Sequence, residues 1–406
     1  MRGSVANLLY LVHRLPYPPN KGDKVRSFNL LRHLASKHRV FLGTFIDDPQ
    51  DEIYVDKLPA YCADLNIVRL SPRAAKLRSL SGLLSNEALS LPYYRNASLQ
   101  TWVDRVLREE GISAAVIFSS VMAQYVRDVP NLQVLVDFVD VDSAKWTQYA
   151  PNHRWPMSWL YRREGERLLA FERSVAQQAT HSFFVTENEA ELFCRHAPES
   201  SGRVDAVCNG VDAEFFSPDH PMPSPYRSGE IPLVFTGAMD YWPNIDAVSW
   251  FSANIFPQLL RDVPRLRFYI VGRSPAPAVL ALAGEQVTVT GTVDDVRPYL
   301  RHAAVVVAPL RLARGIQNKV LEAMAMGLPV VASQECAGAI DAVAERDFLT
   351  AATADDYVRQ IGSLLQSPER AKAMGQAARE QVLARYSWDA HLSGIDRYLV
   401  EPDIGS

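Results

Sequence analysis

Lys319 and Glu322 stand three residues apart in residues 315–333, GIQNKVLEAMAMGLPVVAS, and could hold an anionic ligand together. Helix formers fill nearly every position of residues 319–326, so both side chains would lie at the N-terminal end of one helix. The free amides of that end favour an anion, and a lysine beside them favours it further. A glutamate there can accept hydrogen bonds from two neighbouring hydroxyls, such as those of a ribose. The alternative is that both charges are simply solvated.

The elements around this helix predict that its N-terminal end meets a ligand. Residues 303–309, AAVVVAP, form an apolar run typical of a buried strand in a parallel sheet. Gly315, Gln317 and Asn318 occupy the loop between strand and helix, where the backbone can approach a ligand closely. Residues 327–332 then end the helix and return to the sheet. The helix would begin at the carboxyl edge of the sheet, where open α/β sheets bind ligands.

Three acids accompany a second predicted strand, residues 131–137, in the sequence DFVDVDSAKW. Asp137, Asp140 and Asp142 would lie at the carboxyl end of that strand. Such acids could be metal ligands, acceptor-binding groups or a general base. They could also only cap a helix and face solvent. We expect Asp140 and Asp142 to face the crevice between two domains, as candidates for catalysis.

The segment NKVLEAMAMGLPVVAS resembles the donor site of the family 4 retaining glycosyltransferases of the GT-B type. Residues 209–218, NGVDAEFFSP, resemble the passage between the two domains in that family. The family has two glutamates eight positions apart, and Glu322 matches the second, which contacts the ribose of the donor. GIQNKVLEAMA is similar to a subgroup of bacterial sugar transferases associated with exopolysaccharide and exosortase systems, and the DFVDVDSAKW motif is associated with the same subgroup.

The chain departs from the family pattern at the sugar and at the diphosphate. Arg314 stands where the first glutamate, which addresses the sugar, is expected. The Arg and Lys that usually hold the diphosphate are absent after Gly237. The subgroup has instead a turn that contains Asn244, PNIDA at residues 243–247, with amides that could cover the phosphates, and it leads into a helix predicted at residues 247–260. A diphosphate leaving group needs positive neighbours, and Arg273, Arg311, Arg314 and Lys319 are the available cations. We expect Arg314 and Lys319 to hold the diphosphate.

The resemblance has three further implications. Gly22, between a strand at residues 7–12 and a helix at residues 24–36, keeps half of a glycine pair that lets the ligand approach; a plain turn capped by Asp23 is the alternative. No metal is expected, because GT-B enzymes do not usually hold cations with an acid cluster. No cofactor is expected beyond the co-substrate, a UDP- or GDP-sugar.

Composition limits the remaining possibilities. The chain has 406 residues, enough for two domains, and a net charge of −4 that argues against a nucleic-acid partner. The four cysteines lack CxxC spacing, which suits a reduced cytoplasm. The N-terminal apolar run of about eight residues predicts a first strand and not a signal peptide. No apolar run reaches the roughly 20 residues of a membrane span.

Two stretches combine cations with large apolar residues. Arg73, Lys76 and Arg78 alternate with leucines in residues 71–84, and Trp155 and Trp159 stand close to arginines. Such segments suit peripheral contact with the inner face of a membrane. They are equally compatible with ordinary helices that have one packed and one solvated face.

We therefore predict an α/β protein of the GT-B fold, with two Rossmann-like domains facing across a cleft. Residues 1–217 would bind the acceptor, and residues 218–387 would bind a nucleotide sugar. The C-terminal helix, residues 388–406, would cross back to the first domain. The predicted activity is retaining transfer of a sugar to a saccharide or lipid-linked acceptor in polysaccharide biosynthesis. The alternatives are a non-catalytic nucleotide-sugar-binding protein or a sugar-nucleotide epimerase of the same fold.

Overall fold

A computed structural model describes residues 5–19, 22–311, 316–338 and 340–399. The chain divides into two compact units, one of Met1–Asn209 with Leu392–Ser406 and one of Gly210–His391. Arg314 and Gly315, two of the predicted ligand-binding residues, lie outside the described residues.

The first unit contains a seven-stranded parallel sheet in the order β3-β2-β1-β4-β5-β6-β7. Its strands are β1 (Asn7–Val12), β2 (Arg39–Ile46), β3 (Asp64–Arg69), β4 (Ala114–Phe118), β5 (Gln133–Val139), β6 (His181–Phe184) and β7 (Val204–Ala206). The central strands are apolar along nearly their whole length because helices cover both faces of a parallel sheet. β5 continues two residues beyond the predicted end at Asp137, and its register opposite β6 shifts between Asp137 and Val139.

Among the described residues, the α-helices of the first unit's main segment are α1 (Gly22–Ala35), α2 (Pro72–Ser79), α3 (Ser81–Leu84), α4 (Ser90–Tyr93), α5 (Ala97–Glu109), α6 (Asp142–Tyr149), α7 (Met157–Gln178) and α8 (Glu187–His196). Short 3₁₀ helices span Pro49–Ala60, Ser120–Tyr125, Ala150–Asn152 and Pro198–Arg203. Polar side chains cap the N-termini of two of the α-helices. Asn96 accepts hydrogen bonds from the amides of Ser98 and Leu99 at the start of α5, and Thr186 accepts one from the amide of Glu189 at the start of α8.

The second unit contains a six-stranded parallel sheet in the order β10-β9-β8-β11-β12-β13. Its strands are β8 (Ile231–Thr236), β9 (Leu266–Val271), β10 (Val287–Gly291), β11 (Val305–Ala308), β12 (Val330–Ser333) and β13 (Leu349–Ala351). One continuous core packs on both faces of this sheet, with Phe235, Phe251 and Phe268 among its largest members.

The remaining helices are α9 (Trp242–Asn254), α10 (Phe256–Asp262), α11 (Pro277–Leu280), α12 (Arg297–Arg301), α13 (Asn318–Ala325), α14 (Gln334–Ala337), α15 (Ala354–Gln366), α16 (Pro368–Arg385) and α17 (Trp388–Asp396). α9 corrects the sequence analysis, which placed Asn244 in a turn and began the helix at residue 247. Pro243 stands in the first turn of α9, where its missing amide hydrogen costs nothing. Asn244 is therefore a buried residue of a helix N-terminus.

Within residues 5–19, 22–311, 316–338 and 340–399, no helix combines the length and apolar character needed to cross a bilayer.

Candidate functional site

The strand order of the second unit places a ligand-binding position between β8 and β11. From β8 the chain proceeds outward to β9 and β10 on one side, whereas β11, β12 and β13 follow on the other. The connections leave the carboxyl ends of β8 and β11 in opposite directions, and such a point is the usual ligand position in open α/β sheets. Gly237 follows β8 at this edge, and α13, which carries Lys319 and Glu322, follows β11.

Lys319 and Asn244 meet at this edge. The Lys319 ammonium donates a hydrogen bond of 2.5 Å to Oδ1 of Asn244, and Nδ2 of Asn244 donates one of 2.8 Å to the carbonyl of Ala238. The same ammonium lies 4.2 Å from the ring centroid of Phe235, within cation–π range. Asn244 is buried and both ends of its amide are bonded, so it holds the ammonium at a defined point beside the loop after β8.

The charge state of Lys319 and Glu322 is set by burial. Burial lowers the pKa of Lys319 to about 8, against the opposing influence of Cys336 and Glu322. Burial also raises the pKa of Glu322 to about 7, and the nearby Lys319 moderates that rise. Both groups therefore change charge readily near neutral pH, and a bound anion would favour the protonated lysine. Perturbed pairs of this kind concentrate at functional sites.

Two glycines allow the loops after β8 and β9 to cross at this edge. A Cβ on Gly272 would lie 1.7 Å from the carbonyl oxygen of Gly237. A Cβ on Gly237 would lie 2.8 Å from Nδ2 of Asn244 and 3.0 Å from Nζ of Lys319. Backbone bonds from the Gly237 amide to Val271 and from the Met239 amide to Arg273 fasten the crossing. Gly237, predicted as a donor-binding residue, thus leaves room beside the Lys319 ammonium.

The other described residues that were predicted to bind the donor in this region are partly or fully exposed. Gln317 precedes the first residue of α13, Asn318, and the Asn318 side chain is exposed. Arg273 is exposed, and its guanidinium has no ion-pair partner among the described residues. Arg311, a further cation of this loop, forms an ion pair with Asp246 of α9 and so is not a free phosphate ligand.

Asp137, the first residue of the acid cluster in the first unit, is buried and forms an ion pair. Its carboxylate receives Nε of Arg26 at 2.7 Å and a second guanidinium nitrogen at 3.1 Å, and both side chains are about 1% exposed. Arg26 also donates to the carbonyl of Val207 and to Oδ1 of Asn209. The paired charges therefore tie α1 to β5 and to the end of the first unit's main segment.

Asp140 and Asp142, the predicted catalytic acids, lie past the end of β5 and share one cation. Lys145 donates to Oδ2 of Asp140 at 2.8 Å and to Oδ1 of Asp142 at 2.9 Å. Burial of Lys145 opposes its charge, but the two carboxylates outweigh this effect and raise its pKa. Gly22 begins α1. Within the described residues, no three His, Cys, Asp or Glu side chains are arranged to hold a metal ion.

His13, which sequence reasoning did not select, lies at the corresponding switch between β1 and β4. Its ring stacks on Phe118 and meets the edge of Tyr94, and its buried Nδ1 has no hydrogen-bond partner in the part of the chain that the structure describes. Burial, and then the charge of Arg14, lowers the pKa of His13, so the imidazole is neutral at pH 7. The position of a histidine directly after the first predicted strand was the signal that could have identified it.

Comparison with known proteins connects the second unit with sugar transfer. Residues 230–367 match the model of the family described as Glycosyl transferases group 1. The chain is similar to the MMP alpha-(1->4)-mannosyltransferase of Mycolicibacterium hassiacum, with 32% identity over 270 residues that make up 62% of this chain and 59% of that enzyme. The chain spans less than two thirds of the length of each curated relative that it matches.

Solved structures show the same fold over nearly the whole chain. Sucrose-phosphate synthase from Thermosynechococcus elongatus aligns with a TM-score of 0.57 and 18% identity, covering 97% of this chain and 98% of that one. The Anabaena protein Alr3699/HepE, solved in complex with UDP, aligns with a TM-score of 0.58 and 12% identity, covering 97% and 99%. The predicted fold class is confirmed: the chain has two parallel-sheet, Rossmann-like α/β domains of the GT-B type.

Proposed function

We propose that the protein is a retaining glycosyltransferase that binds a UDP- or GDP-sugar at the carboxyl edge of the second unit. The observation that carries this proposal is the Lys319 ammonium held by Asn244 beside the first turn of α13, with Glu322 one turn away. A cation and free helix amides favour a diphosphate, and a carboxylate can bind ribose hydroxyls. The match of residues 230–367 to group 1 glycosyltransferases supports the same assignment.

The proposed reaction depends on stabilising the departing nucleotide diphosphate. The bond between the anomeric carbon and the diphosphate oxygen breaks, the acceptor hydroxyl forms the new glycosidic bond, and its proton passes to the leaving phosphate oxygen. Lys319 and the amides of α13 neutralise the charge that develops on the diphosphate, the usual main source of catalysis in such a site. Arg273 and Arg314 would add positive charge, and no metal is required in this scheme.

The acceptor is proposed to be a saccharide or lipid-linked saccharide used in polysaccharide biosynthesis, bound by the first unit. Asp140, Asp142 and the glycine that begins α1 are candidates for its hydroxyl contacts. The two acids lie partly exposed at the carboxyl edge of the first sheet, as such a role requires. Their shared partner, Lys145, would have to exchange one of its carboxylates for the acceptor.

A donor screen tests the proposed function. Thermal unfolding with UDP, GDP, ADP and CMP should show a higher melting temperature with one diphosphate, because ligands that bind only the folded state stabilise it. The protein should then slowly hydrolyse sugars of that nucleotide, and NMR of the released sugar should first show the anomer of the donor. Binding without turnover of any donor would instead indicate a non-catalytic nucleotide-sugar-binding protein.

Lys319→Ala connects the activity to the site. The substitution should lower kcat/KM for donor turnover by about two to three orders of magnitude, because it removes charge stabilisation from the leaving group. Lys372→Ala, which removes an exposed lysine of α16, is the matched control and should leave the rate unchanged. Equal rates in the wild-type protein and Lys319→Ala would contradict the assignment.

A further inference from the structure

One region of the first unit combines exposed apolar side chains with cations that form no ion pair with a described residue; we call it the basic apolar face and define it as residues 71–86 and 149–163. Leu77 and Leu84 are 71% and 93% exposed, and Trp155 and Trp159 are 80% and 51% exposed. Side chains of this size are usually buried, and single exposed ones are common, whereas a cluster marks an interaction site.

The leucines belong to one side of a nearly continuous helical stretch. Arg73, Leu77, Leu80 and Leu84 follow each other at spacings of three or four residues through α2 and α3, and such residues share a helix face. All four are exposed. The opposite side carries Ala75 and Gly82, which are buried, so the exposed leucines are not a packing face of the unit.

Specific hydrogen bonds bring the start of α7 against this stretch. Arg163 donates to the carbonyls of Gly82 and Glu87 at 2.7 and 3.1 Å. The buried carboxylate of Glu164 accepts from the amides of Leu89 and Ser90 at 2.6 and 3.0 Å. Trp159 precedes Arg163 by four residues and so lies on the same side of α7, about one turn, or 5 Å, away. The exposed tryptophans at the start of α7 and the exposed leucines of α2 and α3 therefore belong to neighbouring segments of the first unit.

The charges of this face have one sign. Residues 71–86 and 149–163 contain six Lys and Arg and no Asp or Glu, in a chain whose net charge is −4. Arg73, Lys76, Arg154 and Arg162 are exposed, and none forms an ion pair with a described residue. Of the flanking acids, Glu164 is buried against backbone amides and Glu87 pairs with Arg95, whereas Glu166 is exposed.

We propose that the basic apolar face docks on the surface of an anionic lipid bilayer. Leucine side chains would enter the boundary of the acyl chains, and the cations would lie among the phosphates. Tryptophan rings favour this boundary because they are apolar with one polar nitrogen. An acidic protein partner would satisfy the cations but offers no reason for aligned leucines flanked by tryptophans. The inference does not depend on the proposed sugar transfer.

Vesicle co-sedimentation of the full chain tests the proposal. The protein should sediment with phosphatidylcholine vesicles that contain about 30% phosphatidylglycerol and remain in solution with pure phosphatidylcholine, because each cation near an anionic surface favours binding. Leu84→Asp with Trp155→Asp, and separately Arg73→Glu with Lys76→Glu, should each weaken partitioning by roughly tenfold or more. Salt of about 0.5 M should weaken it as well, since the Debye length is then only about 4 Å.

Matched variants on the second unit provide the controls. Leu280→Asp replaces an exposed leucine, and Arg261→Glu with Arg301→Glu reverses two exposed cations, and both variants should partition like the wild-type protein. Thermal unfolding and the nucleotide-induced shift should be unchanged in every variant, which separates a failure of docking from a failure of the proposed function. Equal binding to both vesicle types, or full binding by the face variants, would overturn the proposal. A dimer that Leu84→Asp dissociates, without vesicle binding, would overturn it in favour of a contact between copies.

Discussion

The ammonium of Lys319 donates a 2.5 Å hydrogen bond to Oδ1 of Asn244, a residue 75 positions earlier in the chain. Asn244 belongs to the helix after β8, and Lys319 belongs to the helix after β11. Because β8 and β11 are neighbours in the sheet, the two helices begin side by side at its carboxyl edge. The contact fixes one cation at the point where the strand order reverses, and two of the predictions below depend on it.

Asn244→Ala should weaken the binding of the preferred nucleoside diphosphate by about tenfold to a hundredfold, because a hydrogen bond to a charged group contributes about 1.5–3 kcal/mol. The variant removes the acceptor that positions the Lys319 ammonium and leaves the Ala238 carbonyl without its donor. Isothermal titration calorimetry measures the change. Asn254→Ala, which removes an exposed amide at the other end of α9, should bind like the wild-type protein.

Nucleotide affinity should fall as the pH rises above 8. Burial lowers the pKa of Lys319 to about 8, so the free protein carries the charge below that pH and loses it above. A bound diphosphate raises this pKa, and binding must then take up a proton, which lowers affinity by up to about tenfold per pH unit above pH 8. Titrations between about pH 7.5 and 9, in buffers with different ionisation enthalpies, measure both effects.

Lys319→Arg isolates the group responsible for this pH dependence. A guanidinium stays protonated throughout that range, so the affinity of the variant should be flat between pH 8 and about 9. Calorimetry should also detect no proton uptake at pH 8. An unchanged slope in Lys319→Arg would assign the titration to another group, such as Glu322.

Gly272→Ala should destabilise the second unit by about 3 kcal/mol or more, because its Cβ cannot be accommodated without moving backbone. That Cβ would lie 1.7 Å from the carbonyl oxygen of Gly237, in the crossing of the loops after β8 and β9. Urea unfolding measures the free energy. Gly284→Ala, where a Cβ meets nothing within 4 Å, is the control and should unfold like the wild-type protein.

Glu172→Gln should make the free energy of unfolding fall less steeply as the pH rises from acid to neutral values. Burial raises the pKa of Glu172 from 4.5 to about 8, while the Ser143 hydroxyl and amide oppose the rise. The folded state therefore binds this proton more tightly, so the contribution is complete below pH 4.5 and is lost as the pH rises through about 8. The slope is at most about 1.4 kcal/mol per pH unit.

Chemical unfolding of the wild-type protein and Glu172→Gln at a series of pH values measures this linkage as a difference. The variant should show a flatter decline from pH 5 to 8, because its amide does not titrate. Glu166→Gln, at an exposed position of the same helix, should keep the wild-type dependence. Parallel curves for the wild-type protein and Glu172→Gln would contradict the raised pKa.

Elements whose apolar pattern is local could be predicted closely. The predicted first strand, residues 7–12, matches β1, and the helix predicted at residues 319–326 is α13, Asn318–Ala325. A buried parallel strand needs a continuous apolar run, and a helix end needs a residue such as Gly327 with positive φ. Both requirements are met by neighbouring residues, so the sequence alone displays them.

The roles of individual polar residues were harder to predict, because partners distant in the sequence decide them. Asp137, Asp140 and Asp142 form one motif, yet Asp137 is buried against Arg26 while the other two share Lys145 near the surface. The turn predicted around Asn244 is the first turn of a helix, and His13 showed no distinguishing pattern apart from its place after a strand.

The sequence by itself determined that the chain has two α/β units and that Lys319 and Glu322 stand together at a helix start, because both follow from spacing within a few residues. Only the tertiary structure decided that Asn244 accepts a hydrogen bond from Lys319 and that Gly272 leaves space for the carbonyl of Gly237. It also decided that Asp137 forms a buried ion pair with Arg26. These contacts follow from the order of strands in the sheets, which places residues far apart in the chain within hydrogen-bonding distance.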